Sequence, residues 1–167
     1  MRFNIRKSGV GFVTALVGSL ALSPVGAWAE PTPTYLDNRS TPQSLVASYY
    51  NAINQKQYAR AYGYFSHGVG PKAFQPWAAG YETTQHVAVK MGETYPDPGA
   101  GQVHWALPVA LSVVATDGQR TVYAGCYHLS MTSASMQIEP PFVPLSIQSA
   151  TLQKSSLAFA EAVPSSC

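Results

Sequence analysis

The chain reads as an α+β domain, with helices first and a run of antiparallel strands after them. Three observations predict this. Between residues 43 and 83 the apolar side chains recur three and four apart. From residue 85 the period falls to two. Asp117-Gly118 then stands between two long alternating runs, where a hairpin turn belongs. The expected architecture is N-terminal helices packed on one face of a curved antiparallel sheet of about four strands.

The first 29 residues carry an address rather than a fold. Arg2, Arg6 and Lys7 precede a short apolar stretch over residues 10–22, and Pro24 and Gly26 then break any helix. Ala27-Trp28-Ala29 presents small residues at the two positions a signal peptidase reads. This is the layout of a secretory signal cut between Ala29 and Glu30. The alternative, a spanning helix, wants about 20 consecutive apolar residues. Here Gly11, Gly18 and Ser19 interrupt the run. No cysteine follows for lipid attachment, and Arg2 and Arg6 are not adjacent. The expected location is periplasmic or secreted, with no stable membrane anchor after cleavage.

Removing the signal reverses the charge balance. Of ten Lys and Arg, three lie in the signal, which holds none of the eight acids. The mature chain keeps seven bases against eight acids and has no basic patch, so nucleic acid is not an expected partner. Residues 30–167 suffice for a single domain with a real core. Both cysteines, Cys126 and Cys167, belong to it. An even count in an exported protein favours a disulfide. The alternative is a buried Cys126 thiol and a frayed, unpaired Cys167. On the chain-entropy model a bridge across a loop of this length contributes about 4 kcal/mol.

Residues 30–40 are polar and proline-spaced, an extended and flexible leader. Thr41-Pro42 has the form of an N-cap followed by proline at the first helical position. Leu45, Val46, Tyr49, Tyr50 and Ile53 make one apolar stripe over residues 43–54. A second helix over 57–65 carries Tyr58, Ala61, Tyr62 and Phe65. A third over 73–83 carries Phe74, Trp77 and Tyr81, interrupted by Pro76 and Gly80. Strands follow from residue 85, over 103–113, over 119–131 and over 145–154. Pro108 within the longest strand predicts a bulge or an edge at that point. Residues 155–167 form a tail. The domain therefore spans 41–154, with the tail tied back by the expected disulfide.

The helical stretch Leu45-Val46-Ala47-Ser48-Tyr49-Tyr50-Asn51-Ala52-Ile53-Asn54, followed by Tyr58-Ala59-Arg60-Ala61-Tyr62, resembles the opening helices of the nuclear-transport-factor-2-like superfamily. That group includes polyketide-cyclase-like and ketosteroid-isomerase-like proteins. The resemblance implies a cone: a bent antiparallel sheet wrapped round helices, with a pocket at its wide end. It also implies that enzymes of this kind place an Asp, Tyr or His in the pocket. No such residue maps onto this chain by motif. The acids Glu82, Glu93, Asp97, Asp117 and Glu139 fall mostly in or beside turns.

Treating Asp117-Gly118 as a two-residue turn sets a register with Val109 opposite Cys126 and Leu107 opposite His128. His128 then lies beside Trp105 on the apolar face, as a pocket acid or ligand donor. Its alternative is a core-edge histidine satisfied by a backbone carbonyl. In that register His104 points to the opposite face. His67, His86, His104 and His128 show no metal-ligand spacing, and no metal or cofactor is expected. Ser66-His67-Gly68 lacks the elbow of a serine nucleophile.

The aromatics on the three helices suit a pocket for a small apolar or aromatic ligand. The expected lining is Tyr50, Tyr62, Phe65, Trp77, Tyr81, Trp105 and His128. The function expected first is a non-enzymatic binding or interaction module of the cell envelope. The second is an enzyme of cyclase, isomerase or dehydratase type with a pocket His or Tyr as acid or base. A third reading is a homodimer through a sheet face carrying Tyr123, Tyr127 and Leu129.

Overall fold

The computed structural model describes residues 34–167. The expected signal segment and its expected cleavage between Ala29 and Glu30 lie outside the described residues. Three helices, α1 (Pro42–Asn54), α2 (Tyr58–Tyr62) and α3 (Phe74–Ala79), precede the sheet. Its strands are β1 (Thr84–Met91), β2 (Asp97–Gly99), β3 (Gln102–Ala115), β4 (Arg120–Thr132) and β5 (Ser146–Lys154). The order is β1-β3-β4-β5, all antiparallel, and β2 pairs with the far end of β3. This is the α+β class, with five strands in place of about four.

Helix α1 begins as its sequence predicts. The Thr41 side chain accepts from Ser44 N–H, and Pro42 opens the first turn where no N–H is needed. Its stripe of Leu45, Val46, Tyr49, Tyr50 and Ile53 is buried against Val87, Leu107, Val109, Leu111, Tyr127, Leu129 and Ile147. Asn54 then fastens the helix end to the sheet edge. Its side chain donates to Val87 O (2.9 Å) and accepts from Val87 N (2.8 Å), replacing a neighbouring strand for that residue.

The β3–β4 hairpin departs from the expected register by one residue. Ala115 N donates to Gln119 O, and Gly118 N donates to Ala115 O. The loop is therefore three residues, Thr116-Asp117-Gly118, with Gly118 at φ +83°. This is the type I turn followed by a left-handed glycine, in place of the two-residue turn. Asp117 Oδ1 accepts from Gln119 N and holds the corner. Leu107 accordingly faces Tyr127, Val109 faces Gly125 and Leu111 faces Tyr123. A one-residue slip exchanges the faces of a strand. Tyr123, Tyr127 and Leu129 join the helix-covered side, while Cys126 and His128 go to the opposite side.

Pro108 sits where β3 changes partner. Gly92 N donates to Pro108 O, so the missing proline N–H lies on the same edge, just past the end of β1. β2 pairs only from His104 onward. The edge is real but local, and β3 remains central on its other side.

Residues 34–40 run extended over α1 and α2 but are tied down. Asn51 donates to Thr34 O and accepts from Leu36 N, and Ser48 Oγ accepts from Asn38 N at 2.8 Å. Tyr64 donates to Asp37 Oδ1 at 2.9 Å. Partners distant in sequence thus supply hydrogen bonds to the expected leader. At the other terminus, residues 155–167 cross the uncovered face of the sheet, and Cys167 is bonded to Cys126 with Cα atoms 5.9 Å apart. The tail includes one hydrogen-bonded turn, Glu161 N to Ala158 O.

Candidate functional site

Two adjoining hollows lie between the helices and the helix-facing side of the sheet. The larger, about 390 Å³, is bordered by Tyr50, Gly80, Tyr81, Thr84, Val87, Leu111, Val113, Tyr123 and Leu152. The smaller, about 320 Å³, lies across Tyr81 and Leu152 from it and is bordered among others by Tyr49, Phe65, Trp77 and Tyr127. Tyr81, just past the end of α3, is the partition.

The elements place these side chains for simple reasons. Tyr49 and Tyr50 are consecutive on α1, and both fall within its wide buried stripe. Tyr123 and Tyr127 are four apart on β4, so both face the helices. Trp77 lies one turn before Tyr81, and the two rings meet edge to face at 5.3 Å.

The hydroxyls pair. Tyr49 Oη and Tyr81 Oη are 2.6 Å apart, as are Tyr50 Oη and Tyr127 Oη. An O–H···O pair consumes one of its two protons, so each pair retains one to donate elsewhere. In the first pair either hydroxyl can be the donor, and Tyr81 borders both hollows whereas Tyr49 borders the smaller one. In the second pair Tyr50 borders one hollow and Tyr127 the other. Whichever carries the spare proton, its residue borders one of the hollows.

Burial pushes the pKa of Tyr49, Tyr50 and Tyr127 well above 10, and their mutual repulsion as anions adds to it. Tyr81 is raised as well, mainly by burial, and its bond to Tyr49 opposes the rise. At ordinary pH the cluster is a set of neutral donors. One consequence is alkaline lability. The folded-state values are raised, so below pH 10 both states are protonated and nothing is lost. Above pH 10 the unfolded chain ionises while the folded chain resists. Each of the three buried phenols then removes about 1.4 kcal/mol of stability per pH unit. Urea midpoints measured from pH 8 to 11.5 should hold level to about pH 10 and then drop steeply.

Of the residues expected in a pocket, Tyr50, Phe65, Trp77 and Tyr81 do border these hollows. Tyr62 stands behind them, with its ring 5.3 Å from Trp77 and its hydroxyl given to Pro71 O at 2.6 Å. Trp105 and His128 do not join them. Both border a separate trough of about 660 Å³ together with Glu93, Asp97, His104 and the end of the tail. Trp105 lies beyond Leu107 toward the β2 end of β3. His128 is exposed on the opposite face, opposite Ala106, because the hairpin loop is one residue longer than expected. The same shift puts His104 and His128 on one face rather than two. Even so, among the described residues no three His, Cys, Asp or Glu side chains come together in a way that could hold a metal ion.

The expected dimer face is corrected too. Tyr127 and Leu129 are buried under the helices, 2% and 1% exposed, and are not available to a second copy. Tyr49, Tyr123, Tyr127 and Leu152 were missing from the expected lining. The signal for two of them is present in β4, where Tyr123, Tyr127, Leu129 and Met131 carry far more apolar surface than Val122, Ala124, Cys126 and His128.

No protein-family model matches the chain. No curated protein matches it either. Among solved structures it is similar to a protein of Novosphingobium aromaticivorans described as a "putative aromatic ring hydroxylase", at 12% identity and a TM-score of 0.49, over 68% of this chain and 90% of that one.

Proposed function

We propose that this is an exported binding module that holds a small, planar, largely apolar ligand carrying one oxygen acceptor. The observation that carries the reading is the pair of buried tyrosine dyads bordering the helix-side hollows. Aromatic and aliphatic walls supply apolar contact, and each dyad offers one phenol proton for orientation. Among the described residues, those bordering the 390 Å³ hollow include no carboxylate, imidazole or amine. A proton-transfer enzyme needs a base within reach of the substrate, so binding is favoured over catalysis.

Export is supported by the basic, apolar and small-residue order of residues 1–29 and by the disulfide, which suits an oxidising compartment. Among the described residues no helix is long and apolar enough to cross a membrane. Intact mass of material recovered from the envelope or medium should correspond to a chain starting at Glu30. A mass that includes Met1 would reject export with cleavage.

The binding reading is tested with 2-naphthol against naphthalene, two planar probes that differ by one oxygen. Calorimetric titration should show 2-naphthol bound about tenfold more tightly, the worth of one net hydrogen bond. Equal affinity, or no binding of either, would contradict the reading.

A further inference from the structure

We propose that the C-terminal tail is a redox-latched strap, closed over the sheet face opposite the helices by the Cys126–Cys167 disulfide and released by thiol exchange. The inference is independent of the binding reading.

The tail leaves β5 at Ser155, whose N–H donates to Val122 O on β4. It then crosses the face to the far edge of the sheet. The Lys90 ammonium on β1 reaches Ala160 O, and Val163 packs against Gly92 and Pro108. The chain finally returns to β4, where Cys167 meets Cys126. Between these anchor points the register places Ala110 and Ser112, which are 0% and 1% exposed although they face away from the helices. Arg120 of β4 donates to Ser112 Oγ at 2.9 Å and covers part of this strip.

The strap is otherwise held loosely. Ala162 is its one fully buried apolar side chain, Phe159, Val163 and Pro164 are half-buried, and Ser156, Leu157, Ala158, Ala160 and Glu161 are exposed. Among the described residues its hydrogen bonds to the sheet are Ser155 N to Val122 O and the Lys90 ammonium to Ala160 O, not the ladder of a strand. Such a segment belongs to the low-stability end of a fold, where local opening precedes global unfolding. The covalent link at its last residue therefore decides whether it stays down.

The latch is also reachable. Cys167 is exposed and Cys126 half-buried. The thiolate of an external dithiol attacks Cys167 Sγ, forming a mixed disulfide, and Cys126 Sγ departs as thiolate. The reductant's second thiolate then attacks its own bonded sulfur, closing the reductant's disulfide and freeing the Cys167 thiolate. The protein disulfide is reduced to two thiols and the dithiol is oxidised. Release uncovers the sheet edge around Gly92, where Val163 lies. It also removes Ser165, Ser166 and Cys167 from the wall of the 660 Å³ trough that holds His104 and His128. The redox state of the surroundings thus sets which surface this face presents.

The test uses the full exported chain, oxidised and after treatment with dithiothreitol, exposed to a glutamate-specific protease. Glu161 lies inside the strap, beside buried Ala162. Reduction should raise the rate of cleavage after Glu161 at least tenfold, read as loss of residues 162–167 by mass after complete reduction. The near-ultraviolet circular dichroism of the tyrosine cluster should stay unchanged. Cys167→Ser should reproduce the fast cleavage without reductant, and reoxidation of the wild-type chain should restore the slow rate. An unchanged rate would overturn the proposal, since packing alone would then hold the tail. So would loss of the near-ultraviolet signal with new cuts at Glu82 and Glu93, since the disulfide would then be a staple of the whole fold.

Discussion

Gly125→Ala is expected to cost roughly 3 kcal/mol of stability or more, the upper end of what one methyl group does. Gly125 lies in the middle of β4, opposite Val109 on one side and Leu152 on the other. Its φ of +157° is one that other residues rarely adopt, and an added Cβ would lie 1.8 Å from Thr151 O. That neighbour is backbone, so it cannot swing aside as a side chain would. Either β5 moves away from β4 or Gly125 changes conformation, and both disturb the strand pair that carries Tyr123, Tyr127 and Leu152. A domain of this size has about 5–15 kcal/mol in hand. The urea midpoint should fall sharply with little change in slope. A loss below 1 kcal/mol would mean that β4 and β5 do not approach as closely as described.

The second large effect concerns the cavity. Combining Tyr50→Phe with Tyr81→Phe should weaken 2-naphthol about tenfold, which removes its advantage over naphthalene, and naphthalene by no more than about threefold. The single ligand oxygen gains a net hydrogen bond of about 0.5–1.5 kcal/mol, and the double variant removes it whichever hydroxyl donates. Shape and apolar area are nearly conserved, so the hydrocarbon probe controls for a collapsed site. Each single variant should lose no more than about tenfold, and the two losses should not multiply. The partner hydroxyls, Tyr127 and Tyr49, lose a neighbour in these variants. Stability is therefore measured alongside, and a variant that has unfolded will lose both probes together.

Much of this architecture is legible in the sequence because the relevant signals are local. Thr41-Pro42 starts a helix through its own capping bond, and β3 alternates because one of its faces is buried along most of its length. The two cysteines meet, as their even count suggests. What misleads is a single residue of loop. Asp117-Gly118 suits a two-residue turn, and it suits equally a three-residue loop with Gly118 in the left-handed region. Turn chemistry alone does not separate them. The strand does: the observed register buries the large side chains Tyr123, Tyr127, Leu129 and Met131, and the other register would bury Ala124 and His128 in their place. Weighing apolar surface on β4 would have moved His128 out of the pocket and Tyr127 into it.

Other features depend on distant partners. Three residues of β2, with proline at the centre, carry no strand signal and pair only because β3 continues beyond β1. Residues 34–40 lie along α1 because Asn51, Ser48 and Tyr64 present hydrogen-bond partners along α1 and after α2. The tyrosine dyads join helix to helix end and helix to strand across 32 and 77 residues of sequence. Spacing within one element reports which face a tyrosine lies on, and not which hydroxyl it will meet.

The central claim, that the helix-side hollow beside Tyr50 and Tyr81 is a binding site, is tested most directly by isotope-filtered nuclear Overhauser spectra. Carbon-13-labelled protein would be saturated with unlabelled 2-naphthol. The account predicts contacts from the naphthol ring to the methyl groups of Val87, Leu111, Val113 and Leu152, which border that hollow together. Contacts instead to the Thr94 methyl and Pro108, which border the trough on the other face, or no contacts at saturation, would contradict it.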